Sequence, residues 1–152
     1  MEESLTTLSE FAGFCRDTLK LEKLDSESFS PLALAYIGDA VYEVLIRTKV
    51  MSRGSTQVHN MHKKSAMLVN AKTQADMIRK LLEAEELTPE ETAVYKRGRN
   101  AKSVTTAKHA TVLDYRTATG FEALCGYLYL NGRLERLVAL VGKGLERIGE
   151  VE

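Results

Sequence analysis

Two stretches of this chain are apolar on most sides of a helix, and each holds an acid set among apolar neighbours near its middle. The first runs from Leu32 to about Met51 and the second from about Thr111 to Leu130. A helix apolar nearly all round belongs at the centre of a fold, covered by other helices. The remaining periodicity supplies the cover. Residues 1–20 form a weakly amphipathic helix, followed by a connection over 21–29. Residues 57–69 form a helix with Val58, Met61 and Leu68 inward, and residues 71–87 one with Ala75, Ile78, Leu81 and Leu82 inward. A last helix spans Arg133 to about Ile148.

The boundaries are marked by local chemistry. Ser30 before Pro31 is an N-cap followed by a proline at the first helical position, where its missing N–H costs nothing. Thr88-Pro89-Glu90-Glu91 is a capping box that starts a short helix. That helix is expected to end near Arg97-Gly98, leaving 98–108 as an exposed basic loop. Asn131-Gly132 closes the helix before it. No segment alternates as a strand between turn signals, so the fold class is all-α. The two prolines flank helices and no linker composition appears, so 152 residues read as one domain, with 1–29 as an N-terminal extension to a main body over 30–149.

Formal net charge is zero, but its distribution is uneven. Residues 47–80 carry eight basic side chains against Asp76 alone, and 96–108 carry five with no acid. A polyanion can bind such a local surface. On charge alone, solvated helix faces and a charged loop explain the same pattern and stay the leading account. Cys15 and Cys125 belong to no CxxC pair and read as free thiols in a reducing compartment. No run approaches the ~20 apolar residues of a membrane span, and the first thirty residues are interrupted by charges and contain no apolar leader-type stretch. A cytoplasmic protein is expected.

The informative exceptions are the two acids. Asp39 lies within Ala35-Tyr36-Ile37-Gly38-Asp39-Ala40-Val41, and Glu122 within Gly120-Phe121-Glu122-Ala123-Leu124-Cys125. An acid among apolar neighbours has to be paired, protonated or bound to a metal. Each alone is best explained by a nearby base, such as Arg116 for Glu122. Together, two acids on two core helices could meet on one hard divalent cation, above all Mg²⁺. His59 and His62 lack a third ligand, and His109 reads as a loop-end or helix-start residue. Tyr36, Tyr42, Tyr127 and Tyr129 sit at core spacings.

Residues 32–43, Leu-Ala-Leu-Ala-Tyr-Ile-Gly-Asp-Ala-Val-Tyr-Glu, resemble the signature helix of the ribonuclease III family, whose Gly-Asp-Ala core supplies a metal-binding aspartate. Residues 121–130, Phe-Glu-Ala-Leu-Cys-Gly-Tyr-Leu-Tyr-Leu, resemble its second acidic helix. The segments His62-Lys63-Lys64-Ser65, Lys96 to Ser103, and Tyr115-Arg116-Thr117 resemble the Mini type in particular, which lacks a double-stranded-RNA-binding domain. The likeness covers about 30–142.

The resemblance implies a helical endonuclease domain that cleaves double-stranded RNA and leaves 5′-phosphate and 3′-hydroxyl ends. Asp39 and Glu122 would be the catalytic, metal-binding acids, with Mg²⁺ as cofactor and Mn²⁺ as a substitute. Lys63, Lys64, Lys72, Arg97, Arg99 and Lys102 would bind RNA. It also implies a homodimer, maturation of the ends of 23S ribosomal RNA precursor, and a ribosomal protein as helper. The apolar face around Tyr36, Ile37 and Ala40 is the expected part of the dimer interface. Two family acids are absent: their positions hold Ala35 and Thr119, on the faces of the retained pair. Glu43 is expected to pair with Arg47 rather than to replace them. The thinned cluster leaves a catalytically silent RNA-binding member of the same fold as the alternative. A helical DNA-binding or scaffold protein would explain the basic segments but not the acids.

Overall fold

The computed structural model describes residues 8–22, 26–54, 57–102 and 111–150. They form seven helices: α1 (Leu8–Leu19), α2 (Pro31–Ser52), α3 (Val58–Val69), α4 (Ala71–Glu83), α5 (Pro89–Asn100), α6 (Val112–Leu130) and α7 (Leu134–Arg147). No strand occurs among the described residues. A single 3₁₀ turn, Ser26–Ser28, lies in the connection before α2.

The caps form as their sequence dictates. Ser30 accepts from the Ala33 N–H at 3.1 Å. Thr88 and Glu91 complete the capping box reciprocally, at 3.1 and 3.0 Å. Asn70 and Thr111 cap α4 and α6 in the same way.

Helix α6 is the centre, packed by α2, α4, α5 and α7. Ten of its 19 residues are buried, from Thr117 to Leu128, which matches its nearly unbroken apolar surface. Helix α2 lies along it, and α3 covers α2 in turn. Between α2 and α6, Tyr42 meets Phe121 edge-on with ring centroids 5.5 Å apart. Tyr42 is fully buried, and its hydroxyl donates to the Leu68 carbonyl at 2.6 Å, so a polar tip is satisfied inside an apolar core.

Helix α2 is not covered all round. Tyr36 is 83% exposed and Val44 63%, with Leu32 and Met51 also outward. Asp39 and Ala40 are exposed too. The neighbours of α2 lie on one side only, so the other side keeps its apolar residues in view. Tyr36 is therefore not core packing. Val58 faces outward as well, because α3 meets the rest of the fold through Met61, Ser65 and Leu68.

Helix α5 continues to Asn100 rather than stopping at Gly98. Gly98 is an interior contact, not a stop. A Cβ there would fall 2.8 Å from the Ala123 side chain and 2.9 Å from Gly120. The basic loop therefore starts later than expected, and its residues 103–110 lie outside the described ones. Helix α4 ends at Glu83, short of the expected 87. Of the N-terminal helix, residues 1–7 lie outside the described residues.

Candidate active site

Helices α2 and α6 touch backbone to backbone, and the cause is a pair of glycines. A Cβ on Gly38 would lie 1.8 Å from the Glu122 carbonyl oxygen, and one on Gly126 would lie 2.0 Å from the Leu34 carbonyl oxygen. No side chain fits at either place. The crossing point is set one residue before Asp39 and one turn after Glu122, so the two acids become neighbours. Their proximity follows from helix packing rather than from a loop.

The juxtaposition sets the electrostatics of the pair. Burial, and then the charge of Asp39 beside it, push the Glu122 carboxyl up to about 8. Gln74 opposes that shift with an N–H donated to the carboxylate at 3.2 Å. Among the described residues no lysine or arginine forms an ion pair with Asp39 or Glu122. Arg116 is exposed and does not serve as Glu122's partner. Two carboxylates held together without a countercharge, one of them partly buried, make an all-oxygen donor set of the kind Mg²⁺ selects.

The positions where the resembling family carries further acids hold buried neutral groups. Ala35 is 7% exposed and Thr119 8%. The Thr119 hydroxyl donates to its own helix, to the Tyr115 carbonyl at 3.0 Å. Among the described residues no group of three or more His, Cys, Asp or Glu side chains is placed to hold a metal. The pair stands by itself, and His59 and His62 find no third ligand. Glu43 is engaged elsewhere, accepting from Arg47 at 2.6 Å.

Comparison with known proteins gives the family of the chain. Residues 32–133 match the model of the ribonuclease III domain. The chain belongs to the ribonuclease III family, and to its Mini-ribonuclease III branch. It is 48% identical to a Mini-ribonuclease 3 of Enterococcus faecalis over 83% of this chain and 96% of that one. A Thermoanaerobacter Mini-ribonuclease 3 is 45% identical over 91% of this chain and 96% of its own length. A crystal structure of a protein from Fusobacterium nucleatum superposes with a TM-score of 0.67 at 32% identity, covering 74% of this chain and 88% of that one. This ribonuclease III domain is accordingly an endoribonuclease of a family that acts on double-stranded RNA and generally depends on divalent metal.

Of the six basic residues singled out from the sequence, five are exposed and Arg99 is half-buried. Lys63 and Lys64 lie on α3, Lys72 on α4, Arg97 and Arg99 on α5, and Lys102 just beyond it. Lys72 is bound to Asp76 at 3.2 Å. The Arg99 guanidinium lies over the Tyr95 ring, 5.5 Å from its centroid. Both cysteines are free, Cys125 in the core and Cys15 partly exposed. Among the described residues no helix is long and apolar enough to cross a membrane.

Sequence reasoning missed one residue at the site, Gln74. Its signal was present: an amide at the spacing of the apolar stripe of α4, one turn before Ile78 and two before Leu81.

Proposed function

We propose that this ribonuclease III domain is a Mg²⁺-dependent endonuclease that cuts duplex RNA through Asp39 and Glu122. The observation that carries the reading is the glycine crossing at Gly38 and Gly126, which holds two uncompensated carboxylates side by side. These two side chains would hold Mg²⁺, or Mn²⁺ in its place. When bound, the ion supplies Lewis-acid polarisation of a phosphodiester oxygen and an activated water. Asp39, exposed on α2, presents the open side of the pair to the substrate. Burial and the neighbouring Asp39 disfavour a negative charge on Glu122, and a bound cation would compensate it. Hydrolysis breaks the bond between phosphorus and the 3′ oxygen, leaving 5′-phosphate and 3′-hydroxyl ends.

The exposed cations of α3, α4 and α5, with Lys102, would contact phosphates. Duplex RNA is read mainly by shape, phosphates and 2′-hydroxyls, so binding should weaken steeply with salt. The natural substrate is the precursor of 23S ribosomal RNA, with a ribosomal protein helping to present it. The working unit is a homodimer. Its support is the row Leu32, Tyr36, Ala40 and Val44 along the outward face of α2, with Tyr36 83% exposed. Sedimentation equilibrium of Tyr36→Glu should show monomer where the parent is dimeric.

The deciding experiment is cleavage of an end-labelled RNA containing a ribosomal precursor stem, with Mg²⁺, with chelator, and with Asp39→Asn. Discrete Mg²⁺-dependent cuts on both strands, absent from the variant, are expected. Tight binding with no cut in any metal would instead favour a silent RNA-binding member, the reading that Ala35 and Thr119 support.

A further inference from the structure

The inward stripe of α4 is apolar except at one position. Gln74 is 1% exposed, between the fully buried Ile78 and the wall of α6. A leucine or methionine would fill such a place without desolvating an amide, so its polarity needs a reason. Its Nε2 donates twice, to the Val69 carbonyl at 2.7 Å and to Glu122 Oε2 at 3.2 Å. Its Oε1 is buried and finds no partner among the described residues. The donor end is therefore the one the fold uses.

The two bonds act in series. Val69 is the last residue of α3, and its carbonyl fixes the amide where α3 turns into α4. The amide then passes that rigidity to Glu122. A glutamate side chain has several rotamers, and ordering them opposes cation binding unless something has ordered them beforehand. Here, apart from the hydrogen bond that Glu122 shares with Asp39, its fellow acid, the Gln74 amide is the group that does so. The neighbouring positions hold Ala35 and Thr119, which offer Glu122 no brace of carboxylates around a shared cation. Gln74 is uncharged, so it orients the carboxylate without competing for the ion. It bonds Oε2, on a carboxyl that also shares a hydrogen bond with Asp39.

We propose that Gln74 is a positioning residue for Glu122: it fixes the carboxylate beside Asp39 and thereby sets the affinity of the acid pair for a divalent cation. The proposal rests on the reading of Asp39 and Glu122 as metal ligands. Partners that orient a ligand's side chain typically affect metal affinity by roughly 10- to 100-fold.

The test is direct Mn²⁺ binding to the RNA-free protein, followed by loss of the free-ion electron paramagnetic resonance signal. Four proteins are compared: the parent, Gln74→Met, Glu122→Gln, and the double variant. Q74M should bind Mn²⁺ roughly 10- to 100-fold more weakly, and the half-saturating Mg²⁺ for cleavage should rise by a similar factor. The rate at saturating Mg²⁺ should fall less. On the Glu122→Gln background, Q74M should add nothing, because its effect runs through that carboxylate. A Q74M protein that melts lower but binds Mn²⁺ like the parent, while E122Q does not, overturns the role of Gln74 and leaves the acid pair standing. An E122Q protein that binds like the parent overturns both. Should Q74M fail to fold, Gln74→Asn keeps an amide in the core but withdraws it from Glu122, and the same loss of Mn²⁺ affinity is required of it.

Discussion

Glu91 on α5 and Glu122 on α6 both point into the helical packing, yet burial has opposite outcomes for them. Glu91 is fully buried and meets Arg136 twice, at 2.8 Å from Nε and 2.8 Å from Nη2. It also accepts from the Thr88 N–H. The hydrogen bond from Arg136 outweighs desolvation and holds its carboxyl below the usual range. Glu122 is only partly buried, but its charged neighbour is another acid, and its carboxyl rises to about 8. A buried acid is thus no site by itself. Glu91 ties α5 to α7 with its own cation, whereas Glu122 is left in want of one.

Exchanging the charges should separate the two roles. Glu122→Gln should fold normally and lose cleavage on the order of a thousandfold, the several kcal/mol that Lewis-acid stabilisation contributes. Arg136→Met should do the reverse. It strands a buried carboxylate, at a cost of roughly 3 kcal/mol, the lower end for a broken buried pair because Arg136 keeps part of its guanidinium in water. Urea unfolding measures that loss, and the Mg²⁺ requirement of the folded enzyme should not move. A changed Mg²⁺ requirement in R136M, or an unfolded E122Q, would break the contrast.

The same two groups should give stability opposite dependences on pH. Glu91 has a folded value below the ordinary 4.5, so its contribution is present above that pH and is lost as the solution becomes more acid. Glu122 has a folded value of about 8, raised from 4.5, so its contribution is complete below 4.5 and is lost as pH rises through about 8. Urea midpoints measured in chelator from about pH 4 to about pH 9 should show both limbs. Glu91→Gln should flatten the acid limb and Glu122→Gln the alkaline one. If E122Q leaves the alkaline limb unchanged, Glu122 is not held protonated by its surroundings.

The sequence made the helices legible because their starts are chemical: Ser30, Thr88 and Thr111 each sit where a side chain can take an orphan N–H. Ends were less legible, since Gly98 reads as a stop from sequence alone and only the approach of α6 reveals it as a contact. The argument from burial held for Glu122 and failed for Asp39, which is exposed because α2 is covered on one side. Asp39 was singled out all the same, through the Gly-Asp-Ala motif. The glycine in that motif has its own physical meaning, the 1.8 Å that a Cβ would leave to the Glu122 carbonyl. Gln74 escaped notice because an amide on an apolar stripe looks like an imperfection until its acceptors are known. The partner of Glu91 was equally hidden, lying 45 residues away on α7.

The smallest expected effect belongs to a third glutamate. Glu43 lies one turn beyond Asp39, and its pair with Arg47 is half in water, the two side chains being 33% and 55% exposed. An exposed i,i+4 pair contributes about 0.3–0.5 kcal/mol. Glu43→Gln should therefore shift the urea midpoint barely and leave the half-saturating Mg²⁺ where it was. The variant sharpens the contrast because Glu43 has what Glu122 lacks, a cation of its own, and lacks what Glu91 has, removal from water. A rise of roughly tenfold or more in half-saturating Mg²⁺ would mean that Glu43 leaves Arg47 for the ion when RNA is bound. The two-carboxylate site would then be a three-carboxylate site, its third member supplied from the turn after Asp39 rather than from position 35 or 119.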